Sequence, residues 1–235
     1  MQKFQNLYLI GTSHISKQSI NEIKEAFKEK PDILAVELDR QRAHGLMSNK
    51  TGKPTFYDIR RIGFKGFLFA LLGGWASKKL GKIVGVTPGS EMKTALILAK
   101  KNKVQIQLID QPIEITLKRF SKTLSWKERW HFIVDLVTAP FNKDKDILKM
   151  DLNKVPPKAL IKKLMKKIKK RYPNIYKTII EERNYYMARK LKTLMGKNPD
   201  KKILAVVGAG HEDDILSILN ENDGITYSFT INNNI

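Results

Sequence analysis

Leu7-Tyr8-Leu9-Ile10-Gly11-Thr12-Ser13-His14 and Ile203-Leu204-Ala205-Val206-Val207-Gly208-Ala209-Gly210-His211 repeat one pattern at opposite ends of the chain. Each is a short apolar run, as in a buried strand, followed by Gly-x-x-His and then a stretch with helical spacing. In a parallel sheet the carboxyl ends of such strands form the edge where ligands bind. Two of the four histidines are therefore expected just past strand ends, on that edge.

Working outward, residues 7–10, 19–29 and 33–38 read as strand, helix and strand. Ser19 with Glu22 has the spacing of a capping box, and Pro31 stops the helix. A connection of this length implies a parallel pair with a right-handed crossover. It places His14 and Glu37 at one edge, on strands expected to be neighbours. Residues 39–86 alternate between helical and irregular, loosened by several glycines. Pro88-Gly89-Ser90 opens an amphipathic helix with Met92, Ala95, Leu96 and Ala99 at core spacing. A strand over 104–109 then ends at Asp110.

The stretch from about 113 to 196 is almost entirely helical in pattern. Ser125 and Glu128 form a second capping box, and Pro140 closes that helix. Pro156-Pro157 precedes a lysine-rich helix that stops before Pro173, and a long helix from about 175 to 195 ends at Gly196. Strand 202–207, helix 212–221 and a last strand 225–231 complete the chain. The fold class is α/β: a mainly parallel central sheet built from β-α-β units, with a large helical insertion. Residues 1–235 read as one domain, because no stretch has the composition of a linker.

Composition narrows the chemistry. The chain has 235 residues, 42% of them hydrophobic, enough to bury a core. It has no cysteine, which excludes disulfides, thiolate zinc sites and cysteine nucleophiles. Met1-Gln2-Lys3-Phe4 leads straight into a strand, so no signal peptide is expected. The most apolar run, Phe67–Ala76, is about half the ~20 residues that a spanning helix needs. A cytoplasmic or peripheral-membrane location follows as an expectation.

The net charge is +21, and much of it is concentrated. Lys158, Lys162, Lys163, Lys166, Lys167, Lys169, Lys170 and Arg171 carry no acid among them. Such a surface attracts phosphates or anionic headgroups, although one helix face of lysines is most simply a solvated face. Nucleic acid is an unlikely partner, since no recognised motif is present and aromatic residues are not interleaved with the lysines.

Imidazole and carboxylate are the ligands left for a first-row metal. His14 and His211 as ligands, with Glu37 as a third ligand or general base, would leave a position open for water. The bland alternative is that each histidine bonds backbone in a strand-end turn, and that Glu37 pairs with Arg40 or Arg42. Glu91 stands in the first turn of its helix, where a helix-dipole role suffices. Glu182-Arg183 within a long helix has the look of a solvated pair, and Asp110 of a helix cap. His44 and His131 read as structural. Gly208-Ala209-Gly210 is a poor dinucleotide loop, because Asp213 stands where the third glycine would be.

Several stretches together resemble one family. They are Gly11-Thr12-Ser13-His14-Ile15-Ser16, Val36-Glu37-Leu38-Asp39-Arg40-Gln41-Arg42, Pro88-Gly89-Ser90-Glu91-Met92, Asp110, Thr116-Leu117-Lys118-Arg119, Glu182-Arg183-Asn184 and Val207-Gly208-Ala209-Gly210-His211. In that order they resemble the TraB/PrgY family, named for pheromone shutdown in conjugation and similar to the Tiki metalloproteases. More distantly it is similar to the erythromycin-esterase and ChaN-like group. The resemblance runs from residue 7 to about 216.

It implies an α/β fold, a divalent metal (Mn, Co or Zn) held at His14, His211 and Glu37, and hydrolysis of a peptide or protein substrate. Glu91 and Arg183 match further family positions and are carried as catalytic candidates. The chain departs from the family at Gln111, where Arg is frequent, and at Asn184, where Asp is frequent. Many relatives continue into C-terminal membrane helices, so a soluble domain of a membrane-anchored protein is one expectation and a short family member the other. The rival function is a protein that binds a peptide or an anionic membrane surface without cleaving anything. Homo-oligomerisation is compatible with either.

Overall fold

Among residues 1–12, 17–48, 89–138 and 157–221, those that the computed structural model describes, the two opening runs lie side by side. Strand β1 (Gln2–Phe4) turns back through Gln5, at a φ of 50°, into β2 (Leu7–Thr12) and pairs with it antiparallel. Helix α1 (Lys17–Lys28) leads to β3 (Ile33–Val36), and α2 (Arg40–Ser48) follows. Helix α3 (Ser90–Lys101) precedes β4 (Gln105–Leu108). Helices α4 (Ile113–Thr123), α5 (Trp126–Thr138), α6 (Lys158–Arg171) and α7 (Pro173–Tyr176) come next. A π-helical turn (Lys177–Glu181) joins α7 to α8 (Glu182–Lys197), which leads to β5 (Ile203–Gly208) and α9 (Glu212–Asn220).

The described residues form a five-stranded sheet in the order β1-β2-β5-β3-β4, parallel except for β1. The order corrects one expectation. β2 and β3 are parallel but not neighbours, because β5 lies between them and pairs with both. All six of its residues are buried, Ile203-Leu204-Ala205-Val206-Val207-Gly208. A strand apolar on both faces is stable only at the centre of a sheet with helices on either side.

Alternation along the strands sends side chains into two apolar layers. On one face Leu7, Leu9, Ile33, Ala35, Ala205 and Val207 meet Met187, Leu191 and Met195 of α8 and Ile215 and Leu219 of α9. On the other, Ile10, Leu34, Val36 and Val206 meet Ile23 and Phe27 of α1 and Met92, Ala95, Leu96 and Ala99 of α3. The core spacing read for α3 is thus the one used. Its N-cap, Gly89, has a φ of 82°, a left-handed conformation that costs glycine little.

The second capping box forms as expected: Ser125 N–H donates to Glu128 and Glu128 N–H to Ser125 Oγ. The first does not, for α1 already begins at Lys17 and Ser19 is fully buried within it. Helix α8 runs one residue past Gly196, to Lys197. The expected strand 225–231, the helix end at Pro140, the apolar run Phe67–Ala76 and His14 lie outside the described residues.

Candidate active site

Three of the strand ends carry the polar residues that matter. Glu37 directly follows β3, Asp110 lies two residues beyond β4, and His211 opens α9 after β5. The turn after β5 is held by backbone: Ala209 N–H donates to Thr12 C=O at 2.8 Å and His211 N–H to Gly208 C=O at 2.8 Å. A side chain on Gly11 would come within 3.1 Å of the Ala209 Cα and closer still to Glu212, so only glycine lets the end of β2 and the turn after β5 approach. Glu37 is anchored from below by its own N–H to Val206 C=O (3.0 Å) and by Gly208 N–H donating to Oε2 (2.5 Å).

Arg183, in the first turn of α8, reaches into this edge with a side chain only 12% exposed. It donates to Glu37 Oε1 and to both oxygens of Asp110, at 3.0 and 2.6 Å. It also reaches the Ile179 carbonyl in the π-helical turn, at 3.2 Å. Burial on its own would lower the guanidinium's pKa; Glu37 and Asp110 outweigh it and hold the group above its ordinary value. Asp110 receives a second guanidinium, that of Arg42, which also bonds Asp39. Asp39 in turn caps α2 by accepting from Arg42 N–H (2.9 Å) and accepts from Ile113 N–H at the start of α4 (3.1 Å). Among the described residues, three carboxylates thus share two guanidiniums at the sheet edge.

His211 completes the cluster. Its Nε2 lies 3.5 Å from Glu37 Oε1 and 3.3 Å from Arg183 Nη1, and its Nδ1 bonds Asn184 Oδ1. Both Glu37 and His211 are more than nine-tenths buried. The structure therefore brings together Glu37, Arg183 and His211 of the expected site residues. Glu91 is buried in the first turn of α3, a helix packed against β3. The bland pairing of Glu37 with Arg40 or Arg42 is replaced by Arg183. Of the residues read as structural, His44 is exposed on α2 and His131 bonds the Arg171 carbonyl at 3.3 Å.

The sequence reading carries Asp39 only as part of a motif and Arg42 as a possible partner of Glu37, and it assigns no role to Asp214. An aspartate directly before a helix, with its acceptor aimed three residues on, is a readable N-cap signal. Nothing local announces Asp214.

Among the described residues no three His, Cys, Asp or Glu side chains are grouped to hold an ion. The donor chemistry fits a divalent metal: a buried imidazole nitrogen and a carboxylate oxygen face each other at 3.5 Å.

A cleft of about 590 Å³ opens beside the cluster, lined by Asp39, Gln41, Ile106, Asp110, Tyr186 and Lys190. On the opposite flank Lys158 and Lys162 of α6 pair with Asp213, whose carboxyl is held below its usual range mainly by Lys162.

Residues 2–226 match the family model described as the TraB/PrgY/gumN family. This chain belongs to that family. It is 37% identical to the uncharacterized protein MJ1365 of Methanocaldococcus jannaschii over 220 residues, which is 91% of this chain and 53% of that protein. It is 25% identical over 232 residues to the TraB domain-containing protein of Homo sapiens, covering 87% of this chain and 60% of the human protein. The mouse protein of the same name is 26% identical. The chain thus spans roughly half to three-fifths of the length of the relatives it matches.

Proposed function

We propose that the chain is a metal-dependent hydrolase, most reasonably a peptidase. The observation that carries this reading is the buried meeting of Glu37 and His211 beside Arg183, at the carboxyl edge of a parallel sheet. His211 through Nε2, His14 and Glu37 would hold a Mn, Co or Zn ion. Such an ion, when bound, supplies Lewis acidity and lowers the pKa of its water.

In this reading Glu37 Oε1 takes the proton of the attacking water. Arg183 pairs with Glu37 and presents Nη1 to the oxygen on which charge develops in the substrate carbonyl. Asp110 sets the plane of the Arg183 guanidinium through its two bonds.

The test is cleavage of a fluorogenic peptide library with Mn²⁺, Co²⁺ or Zn²⁺ added in turn. Metal-stimulated cleavage is expected, reduced ~10²–10⁴-fold in Glu37→Gln, the range for loss of a positioned base. Unchanged cleavage in Glu37→Gln would falsify the mechanism.

A second reading is favoured by the lysine face of α6 (Lys158–Arg171): a protein that binds an anionic membrane surface. Among the described residues no helix is long and apolar enough to cross a membrane. Flotation with phosphatidylserine vesicles at low and high salt decides it. Binding lost at high salt supports a surface role, and no flotation at low salt removes it.

A further inference from the structure

His211 can serve as a ligand or base through Nε2 only if its other nitrogen carries the proton, and the residues behind it decide that. Nδ1 faces Asn184 Oδ1, and Asn184 Nδ2 donates to Asp214 Oδ2 at 2.9 Å. Asn184 is 1% exposed and His211 6%. An amide can present either its oxygen or its NH₂ to a neighbour, and which end points where is decided by the hydrogen-bond network. For a neutral ring, the Asp214 and Arg183 contacts together select one arrangement. An ionised carboxylate only accepts, so it takes the NH₂ of Asn184 and turns the amide oxygen toward His211. An oxygen accepts only from N–H, so Nδ1 carries a proton, and in the neutral ring the lone pair lies on Nε2, where Arg183 Nη1 donates at 3.3 Å.

We infer that Asn184 and Asp214 form an orienting relay that locks neutral His211 in the Nδ1–H tautomer and presents its Nε2 lone pair to the candidate site. Imidazole ligands of metals ordinarily donate their other N–H to a carboxylate or carbonyl, which fixes ring and tautomer together. This chain places an amide next to the imidazole and the carboxylate one step further out, on α9. That arrangement accounts for the departure at position 184. A carboxylate there would face Asp214 directly, whereas asparagine supplies the same acceptor without a second buried charge. Asn184 and Asp214 are positioning residues, acting through His211. Their role in activity rests on the hydrolase reading above, while the tautomer does not.

The experiment uses the full chain, metal-free and with ¹⁵N-labelled histidine, about two pH units above the ordinary imidazole value so that the ring is neutral and Asp214, whose carboxyl burial pushes up, is ionised. Long-range ¹H–¹⁵N correlation spectra report which ring nitrogen is protonated, with His211 assigned by its loss in His211→Gln. Protonated Nδ1 and bare Nε2 are expected in the wild type and in Asn184→Asp. A mixture or reversal is expected in Asn184→Leu and Asp214→Ala.

Asp214 is exposed as a residue and only its carboxyl is partly enclosed, so Asp214→Ala keeps the test alive if Asn184→Leu fails to fold. Protonated Nε2 in the wild type would overturn the relay, as would an undisturbed Nδ1–H tautomer in both disrupting variants. Co²⁺ titration is the second readout. Weakening of ~10–100-fold in Asn184→Leu, with Asn184→Asp spared, is expected. The same Co²⁺ affinity in all variants would overturn the relay's functional part. No Co²⁺ binding by a wild type that shows the expected tautomer would sink the metal reading and leave the relay standing.

Discussion

At the scale of single residues, Arg183 is the group on which the cluster depends. Its guanidinium is almost fully enclosed and bonds two buried carboxylates, Glu37 and Asp110. Removing one partner of such a network leaves uncompensated charge in a poorly solvated place, which typically costs ~3–5 kcal/mol. Arg183→Met should therefore lower Tm by roughly 6–20 °C for a chain of this size, read by thermal unfolding. Arg183→Lys should recover only part, since an ammonium cannot span both carboxylates with planar paired bonds. A Tm within about 2 °C of wild type in Arg183→Met would show that the two acids are otherwise satisfied.

The sequence made Glu37 and His211 legible because strand ends are local features. Arg183 was not legible from its surroundings: a basic residue in a long helix points to solvent unless something far away in the chain claims it. Only the family resemblance marked it out.

At the scale of elements, Glu128 holds two helices at once. It closes the capping box of α5 with Ser125, and it accepts from Asn174 N–H at 2.7 Å and Ile175 N–H at 3.3 Å, where α7 begins. Burial pushes its carboxyl up, but the bonds from Asn174 and Ser125 prevail and hold it below its ordinary value. A depressed folded-state value gives stability that is full above the unfolded carboxylate range and is lost as pH falls through the folded value. Glu128→Gln should cost ~1.5–3 kcal/mol at neutral pH, the range for hydrogen bonds to a charged group. The gap between variant and wild type should close as pH drops below about 4. A gap constant from pH 7 to 3 would count against the charged cap.

Half of this device was visible beforehand, as the Ser125-x-x-Glu128 spacing, while its bonds to Asn174 lie 46 residues away. The start of α1 was misplaced for the converse reason. Ser19 has capping chemistry, but apolar packing of the helix claims it for the interior. The π-helical turn before α8 had no sequence signal, although it sets the phase at which Arg183 and Asn184 leave the helix.

For the whole molecule, the net charge of +21 sets a large self-repulsion against exposed ion pairs such as Arg119–Glu182 and Arg171–Asp135. Exposed pairs contribute ~0–1 kcal/mol each, so repulsion should dominate. Moving from ~10 mM to ~150 mM salt shortens the screening length from ~30 to ~8 Å. Tm should rise over that range, and a fall would show that the pairs outweigh the repulsion.

The α/β class and the polar sheet edge were legible from the alternation of apolar runs and helical stretches. Strand order was not. Connection length favours β2 beside β3, and no local pattern says that a run from the far end of the chain will separate them.

That insertion has a temporal side. The central strand is made about 170 residues after its neighbour β3. At ~5–20 residues per second a ribosome needs on the order of 10–35 s to reach it. Throughout that interval β2 and β3 are nascent chain with no partner between them, their inner edges open to any passing strand. The hazard for this protein is thus concentrated in its own synthesis, and it ends when Ile203–Gly208 enters the gap.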